Sequence, residues 1–147
     1  VKNSVEGNAI KLANTPNYDF LVQNYPNTCI AASGVDVGLP EGEMGNSEVG
    51  HLNIGAGRVV EQEVLKINKE IKSGAFYKNK SLLAAFNHAK KHKSKVHVIG
   101  LVSNAVVHSS MDHLMALIEM ALKNNFKDLC VHIVTDGRDS SPLSART

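Results

Sequence analysis

Val96-His97-Val98-Ile99-Gly100-Leu101-Val102 is a short, nearly continuous apolar run flanked by the lysines before it and a polar stretch after it. A run of this length and β-branched content reads as a strand buried on both faces. Downstream, Met111 to Lys123 has the helical period, with Met111, Leu114, Leu117, Ile118 and Ala121 on one face. Leu129 to Val134 repeats the strand pattern. Upstream, Ser81 to Lys91 reads as a helix with Leu82, Leu83, Ala85, Phe86 and Ala89 apolar. Helix, strand, helix, strand at this spacing predicts an α/β fold with a parallel βαβ unit. In such sheets function collects at the carboxyl ends of the strands. Two polar loops take that position, Ser103 to Ser110 and Thr135 to Pro142.

Towards the N-terminus the patterns are weaker. Gly7 to Ala13 reads as a short helix, and Thr15-Pro16 opens another with Thr15 as cap and Pro16 at its first position. Tyr18, Leu21, Val22 and Tyr25 share roughly one face of that helix. Thr28 to Ser33 is β-like, Val35 to Gly45 a glycine-rich loop, and Ser47 to Ile54 a helix that Gly50 weakens. Val59 to Lys72 predicts an amphipathic helix through Val60, Val64, Ile67 and Ile71. A boundary between two parts is expected near Arg58 to Gln62, where the glycine-rich portion ends.

The 147 residues are 43% hydrophobic and 20% charged, a globular composition. A net charge of +2 gives no argument for nucleic acid. The Lys90, Lys91 and Lys93 cluster reads as a solvated helix end, without the interleaved aromatics of a base-stacking surface. No apolar run approaches the ~18 residues of a membrane helix, and the start does not read as a signal peptide. Cys29 and Cys130 lie in apolar runs and read as buried, reduced thiols of a cytoplasmic protein. The histidines His88, His92, His97, His113 and His132 have no metal-ligand spacing.

Three places carry candidate chemistry. In Gly45-Asn46-Ser47-Glu48-Val49-Gly50-His51 a serine stands between glycines where a helix begins. A serine hydroxyl needs activation, and a helix N-terminus offers free amides and positive potential for an alkoxide or phosphate ester. Asn46 and His51 can add polar contacts. The ordinary alternative is a helix cap, for which serine and asparagine are the commonest residues. The stretch is not a Walker-type loop, because no lysine precedes Ser47, nor the G-x-S-x-G elbow. His108, after the first strand, can bind phosphate or move a proton, or simply sit in solvent. In Asp136-Gly137-Arg138-Asp139, Arg138 can grip a phosphate or carboxylate and Asp139 can accept hydroxyl protons; an ordinary Asp-Gly turn is the alternative.

With these residues in view, Gly38 to Arg58 resembles the nucleophile segment of the cofactor-independent (2,3-bisphosphoglycerate-independent) phosphoglycerate mutases. The likeness extends through Gly7-Asn8-Ala9-Ile10, Thr15-Pro16-Asn17, Lys66-Ile67-Asn68-Lys69 and Asp136-Gly137-Arg138-Asp139-Ser140-Ser141-Pro142. It covers essentially the whole chain, against the N-terminal third or so of a family member. A fragment is therefore expected, and a start at Val1 rather than methionine accords with it.

The resemblance implies interconversion of 3-phosphoglycerate and 2-phosphoglycerate in glycolysis, in the cytoplasm, through a phosphoserine intermediate. It implies two manganese ions, or magnesium, in a complete enzyme that is a monomer. Ser47 matches the serine that takes the phosphoryl group and ligates one metal. His108, Arg138 and Asp139 match substrate-binding positions. Residues 1–61 would be part of an alkaline-phosphatase-like metal domain and 62–147 the start of a phosphotransferase domain. Most metal ligands would lie outside the chain, so the chain alone is expected to be inactive. A non-catalytic binding relative and a phosphatase of the same superfamily are the rival expectations. The family usually reads Ser-Asp-Gly-Gly-Val-His-Ser-His at 103–110; here Asn104, Ala105, Val106 and Ser110 replace Asp, Gly, Gly and His. Strain is expected at Ala105 and Val106 if that loop keeps its glycine conformation.

Overall fold

A computed structural model of the chain describes residues 4–146. It divides into two compact units, one ending at Ala31 and one running from Ala32.

The first unit holds two helices. Helix α1, Ala9–Leu12, is capped by the Asn8 side chain, which accepts from the Lys11 amide at 3.2 Å. Helix α2, Pro16–Asn24, starts with proline as expected, but the Thr15 hydroxyl donates to Asp19 at 3.3 Å and does not cap the backbone. The face of Tyr18, Leu21, Val22 and Tyr25 is exposed. Thr28 to Ser33 forms no strand, and Ile30 is 74% exposed. An extended run becomes a strand only against a ladder partner, and this one pairs with nothing among the described residues. Both cysteines are free, and Cys29 is exposed, against the expectation that it is buried.

The second unit carries the regular α/β part. Its helices are α3 (Ser47–Ala56), α4 (Glu63–Ser73), α5 (Lys80–His92) and α6 (Met111–Lys123), and its strands β1 (Val96–Val102) and β2 (Leu129–Thr135). The strands pair in parallel from Val96 opposite Leu129 to Val102 opposite Thr135, with α6 as the crossover. The fold is mixed α/β around this two-stranded parallel sheet, as the periodicity predicts.

The core fills the space under α5 and α6. Phe76, Phe86, Ala89, Ala116, Met120, Ala121 and Phe126 are buried together, and Ile67, Ile71, Val96 and Leu129 pack against them. Phe86 and Phe126 meet edge to face at 5.3 Å between ring centres. Asn79 caps α5 by accepting from the Ser81 and Leu82 amides, while Lys90, Lys91 and His92 occupy its last turn, where positive charge suits the helix dipole.

Helix α4 begins at Glu63, later than the expected Val59. The segment before it is held extended. The Val60 amide donates to Asn53 Oδ1 at 2.8 Å, Asn53 Nδ2 donates to the Val37 carbonyl at 3.0 Å, and the Gln62 amide donates to the Gly38 carbonyl at 2.8 Å. A Cβ on Gly38 would lie 2.1 Å from the Val60 carbonyl oxygen, so only glycine admits this approach. Amphipathic spacing alone could not reveal that Asn53 takes the Val60 amide out of the helical pattern.

Candidate functional site

Ser47 occupies the first position of α3, and the cap is Asn46, whose Oδ1 accepts from the Val49 amide at 3.0 Å. The alternative reading of Ser47 as the capping residue is therefore corrected: its hydroxyl is free of capping duty and exposed to solvent. Gly45 enters this turn pressed against the chain before it, where a Cβ would lie 1.7 Å from the Ala32 carbonyl oxygen. The glycine thus lets the backbone pass, and the asparagine starts the helix.

One turn on, His51 Nδ1 lies 2.7 Å from the Ser47 carbonyl oxygen and 3.1 Å from the Ser47 hydroxyl. A carbonyl oxygen only accepts, so the shorter contact requires a proton on Nδ1. The same N–H can then be shared with Oγ, which makes His51 a donor to the serine oxygen and not a base through that nitrogen.

The parallel register carries the loops after β1 and β2 to the same sheet edge, and their first residues meet. Ser103 Oγ donates to Asp136 Oδ2 at 2.6 Å, and both residues are buried, at 5% and 8% exposure. Asp136 Oδ1 accepts from the amides of Arg138 and Asp139 at 2.9 and 3.1 Å. The Ser103 hydroxyl, foremost, and then these two amides hold the Asp136 carboxyl down to about 2. Ser103 also accepts from the Ala105 amide at 3.1 Å, so it shapes its own loop as well.

Beyond this frame, His108 Nε2 stands 3.7 Å from Asp139 Oδ2, with the histidine side chain 71% exposed. The structure brings these two expected site residues together, and Arg138, next to Asp139 in the chain, is exposed. Val106, at φ +58°, turns the loop that leads to His108; Ala105 is not in the left-handed region, so the strain expected at two positions falls on one.

A cavity of about 420 Å³ joins the start of α3 to this edge. Asn46, Glu48 and Val49 line it from one side of the sequence and Val106, His108 and Ser109 from the other. Ser109 Oγ is a buried side-chain oxygen without a hydrogen-bond partner among the described residues. His113, also on this wall, donates from Nε2 to Asn68 Oδ1 at 2.7 Å, and burial lowers its pKa. A larger hollow of about 700 Å³ runs along α4 and α6 and contains none of the expected site residues.

Among the described residues no three His, Cys, Asp or Glu side chains form a metal-binding group. Ser47 contributes one oxygen, short of the donor set that two manganese ions need. The residues present do not by themselves fit that pair of ions.

The sequence marks His51 and Asn46 only as polar neighbours, holds Asp136 in the Asp136-Gly137-Arg138-Asp139 motif without a role of its own, and gives no sign of Ser103 or Ser109 as site residues. The signal for the Ser103–Asp136 contact is the strand register, which places the two residues just past the pairing of Val102 with Thr135.

Residues 67–147 match the family model described as BPG-independent PGAM N-terminus, where PGAM is phosphoglycerate mutase and BPG bisphosphoglycerate. The chain belongs to the BPG-independent phosphoglycerate mutase family. It is 54% identical over 141 residues to the 2,3-bisphosphoglycerate-independent phosphoglycerate mutase of Clostridium perfringens, covering 96% of this chain and 28% of that protein. The mutase of the same name from Methanococcoides burtonii is 57% identical over 141 residues, with 96% and 27% covered. That from Staphylococcus saprophyticus is 54% identical over 144 residues, with 98% and 28% covered. The chain thus spans little more than a quarter of the length of these mutases.

Proposed function

We propose that this chain supplies the phosphoryl-accepting serine and part of the glycerate-binding wall of a mutase that interconverts 3-phosphoglycerate and 2-phosphoglycerate. The observation that carries the reading is the placement of Ser47. Its hydroxyl stands at the first position of a helix whose cap is another residue. A phosphate ester there faces free backbone amides and the positive end of the helix dipole. The His51 N–H adds a donor to the same oxygen.

The substrate residues divide the work. Arg138 takes phosphate or carboxylate oxygens through its planar fork, and His108 adds a second phosphate contact. Asp139 accepts from a glycerate hydroxyl, which suits an enzyme that must keep the glycerate in place for the return transfer. Ser109 Oγ offers a further hydrogen-bond partner on the cavity wall. That clamp favours a mutase over a phosphatase, which needs to hold no glycerate after the first transfer.

The same reading places residues 1–61 in an alkaline-phosphatase-like metal domain and 62–147 in a phosphotransferase domain, with the extended connector before α4 as the boundary. It implies manganese or magnesium, with Ser47 as one ligand and the other ligands outside the residues described. It also implies a monomeric enzyme of cytoplasmic glycolysis. No helix among the described residues is long and apolar enough to cross a membrane.

A chimera tests it. The segment corresponding to this chain in the C. perfringens mutase is replaced by this chain, and turnover of 3-phosphoglycerate is measured with manganese. Activity that Ser47→Ala reduces by roughly 1,000-fold or more, the scale of losing a covalent nucleophile, is expected. A folded chimera whose activity is indifferent to Ser47→Ala would overturn the reading.

A further inference from the structure

We propose that Asp136 is the positioning residue of the strand-end site: its carboxylate, aimed by Ser103, sets the backbone from which Arg138 departs and which presents Asp139 towards His108. The proposal rests on the reading of Arg138 and Asp139 as substrate contacts and names the pair beneath them that fixes their geometry.

Ser103 and Asp136 are the buried polar side chains among the described residues. A carboxylate removed from water is costly unless its oxygens are filled. Here both are. Oδ2 takes the Ser103 hydroxyl at 2.6 Å, and Oδ1 takes the amides of Arg138 and Asp139. The main-chain carbonyl of Asp136 further accepts from the Ser140 hydroxyl at 3.1 Å. Two consecutive amides bonded to one oxygen leave the backbone of 138 and 139 little freedom, so the directions in which their side chains depart are set.

Ser103 adds a second function. By donating to Asp136 and accepting from the Ala105 amide, one hydroxyl ties the loop after β1 to the loop after β2. His108 is on the first loop and Asp139 on the second, and their 3.7 Å approach spans the two. An ordinary aspartate turn would account for the amide contacts alone; it would not require a buried partner from the neighbouring strand end.

The test uses the 147-residue chain in wild-type form and as Asp136→Ala, Asp136→Asn, Ser103→Ala and Arg138→Ala, with folding checked by circular dichroism. Amide exchange is followed by NMR. Asp136→Ala is expected to speed exchange at Arg138 and Asp139 on the order of 10-fold while the β1–β2 ladder stays protected. Asp136→Asn, which keeps an accepting Oδ1, is expected to retain most of the protection. If Asp136→Ala does not fold, Ser103→Ala supplies the measurement, with several-fold faster exchange at the same two amides.

Titration with 3-phosphoglycerate gives the second readout. Asp136→Ala and Arg138→Ala are each expected to weaken binding on the order of 10-fold, and the double variant to lose clearly less than the product of the two factors, because Asp136 acts in part through Arg138 and in part through Asp139. Unchanged exchange at 138 and 139, or additive losses in the double variant, would overturn the proposal. Should the wild-type chain bind no 3-phosphoglycerate while exchange responds as expected, the substrate reading of this segment fails and the positioning role stands.

Discussion

His51 Nδ1 lies within hydrogen-bond reach of both the carbonyl oxygen and the hydroxyl of Ser47, at 2.7 and 3.1 Å. The carbonyl contact dictates the tautomer: a lone pair on Nδ1 would face a lone pair on oxygen at that distance. Nitrogen-15 NMR of the neutral ring is therefore expected to show Nδ1 protonated and Nε2 bare. The pattern should survive Ser47→Ala, since the backbone carbonyl remains. A ring with its proton on Nε2 would instead leave Nδ1 able to accept from the Ser47 hydroxyl and would overturn this assignment.

Val106 has φ +58°, a conformation that costs a β-branched residue about 1–2 kcal/mol. Val106→Gly is expected to raise stability by about 1 kcal/mol, the relief being partly offset by the greater freedom of glycine in the unfolded chain. On a domain of this size that is roughly 2–4 °C in melting temperature. Ala105→Gly should give no gain, because Ala105 is not in the left-handed region. Equal responses at the two positions would show that the strain is not where the backbone places it.

The contrast between Ala105 and Val106 shows how far sequence reaches. The likeness to a loop with two glycines marks both positions, and only backbone dihedrals separate them. The βαβ unit is legible because Met111–Lys123 carries a clean helical period between two short apolar runs, Val96–Val102 and Leu129–Thr135. The start of α4 is not, because a side chain from the preceding helix, Asn53, captures the Val60 amide. The candidate site divides in the same way. Ser47, His108, Arg138 and Asp139 stand out by residue type and motif. Ser103 and Asp136 become a pair only through the register of two strands.

Two glycines near Ser47 separate packing from propensity. Gly45→Ala would put a Cβ 1.7 Å from a backbone oxygen. Neither chain segment can yield without shifting the entry to α3, so a loss of about 1–3 kcal/mol, as for an overpacked site, is expected. Gly50, inside α3, has open space where its Cβ would stand. Gly50→Ala should stabilise the protein by about 0.5–1 kcal/mol through helix propensity. Thermal melts of the two variants, moving in opposite directions, check the close approach at residue 45.

The acid limb of stability should carry the signature of Asp136. Its carboxyl is held at about 2 in the folded chain, against 3.8 ordinarily, chiefly by the Ser103 hydroxyl and then by the amides of Arg138 and Asp139. A carboxyl with a depressed folded-state value binds fewer protons folded than unfolded, so its contribution is complete above the ordinary value. The contribution then declines as pH falls from about 4 towards about 2, where the folded form also takes up its proton. Urea unfolding across that interval should show this decline in the wild type. Asp136→Asn should lower stability near neutral pH and flatten the dependence below pH 4, since asparagine has no proton to take up. A variant that loses stability at neutral pH but keeps the full acid slope would place the titrating group elsewhere.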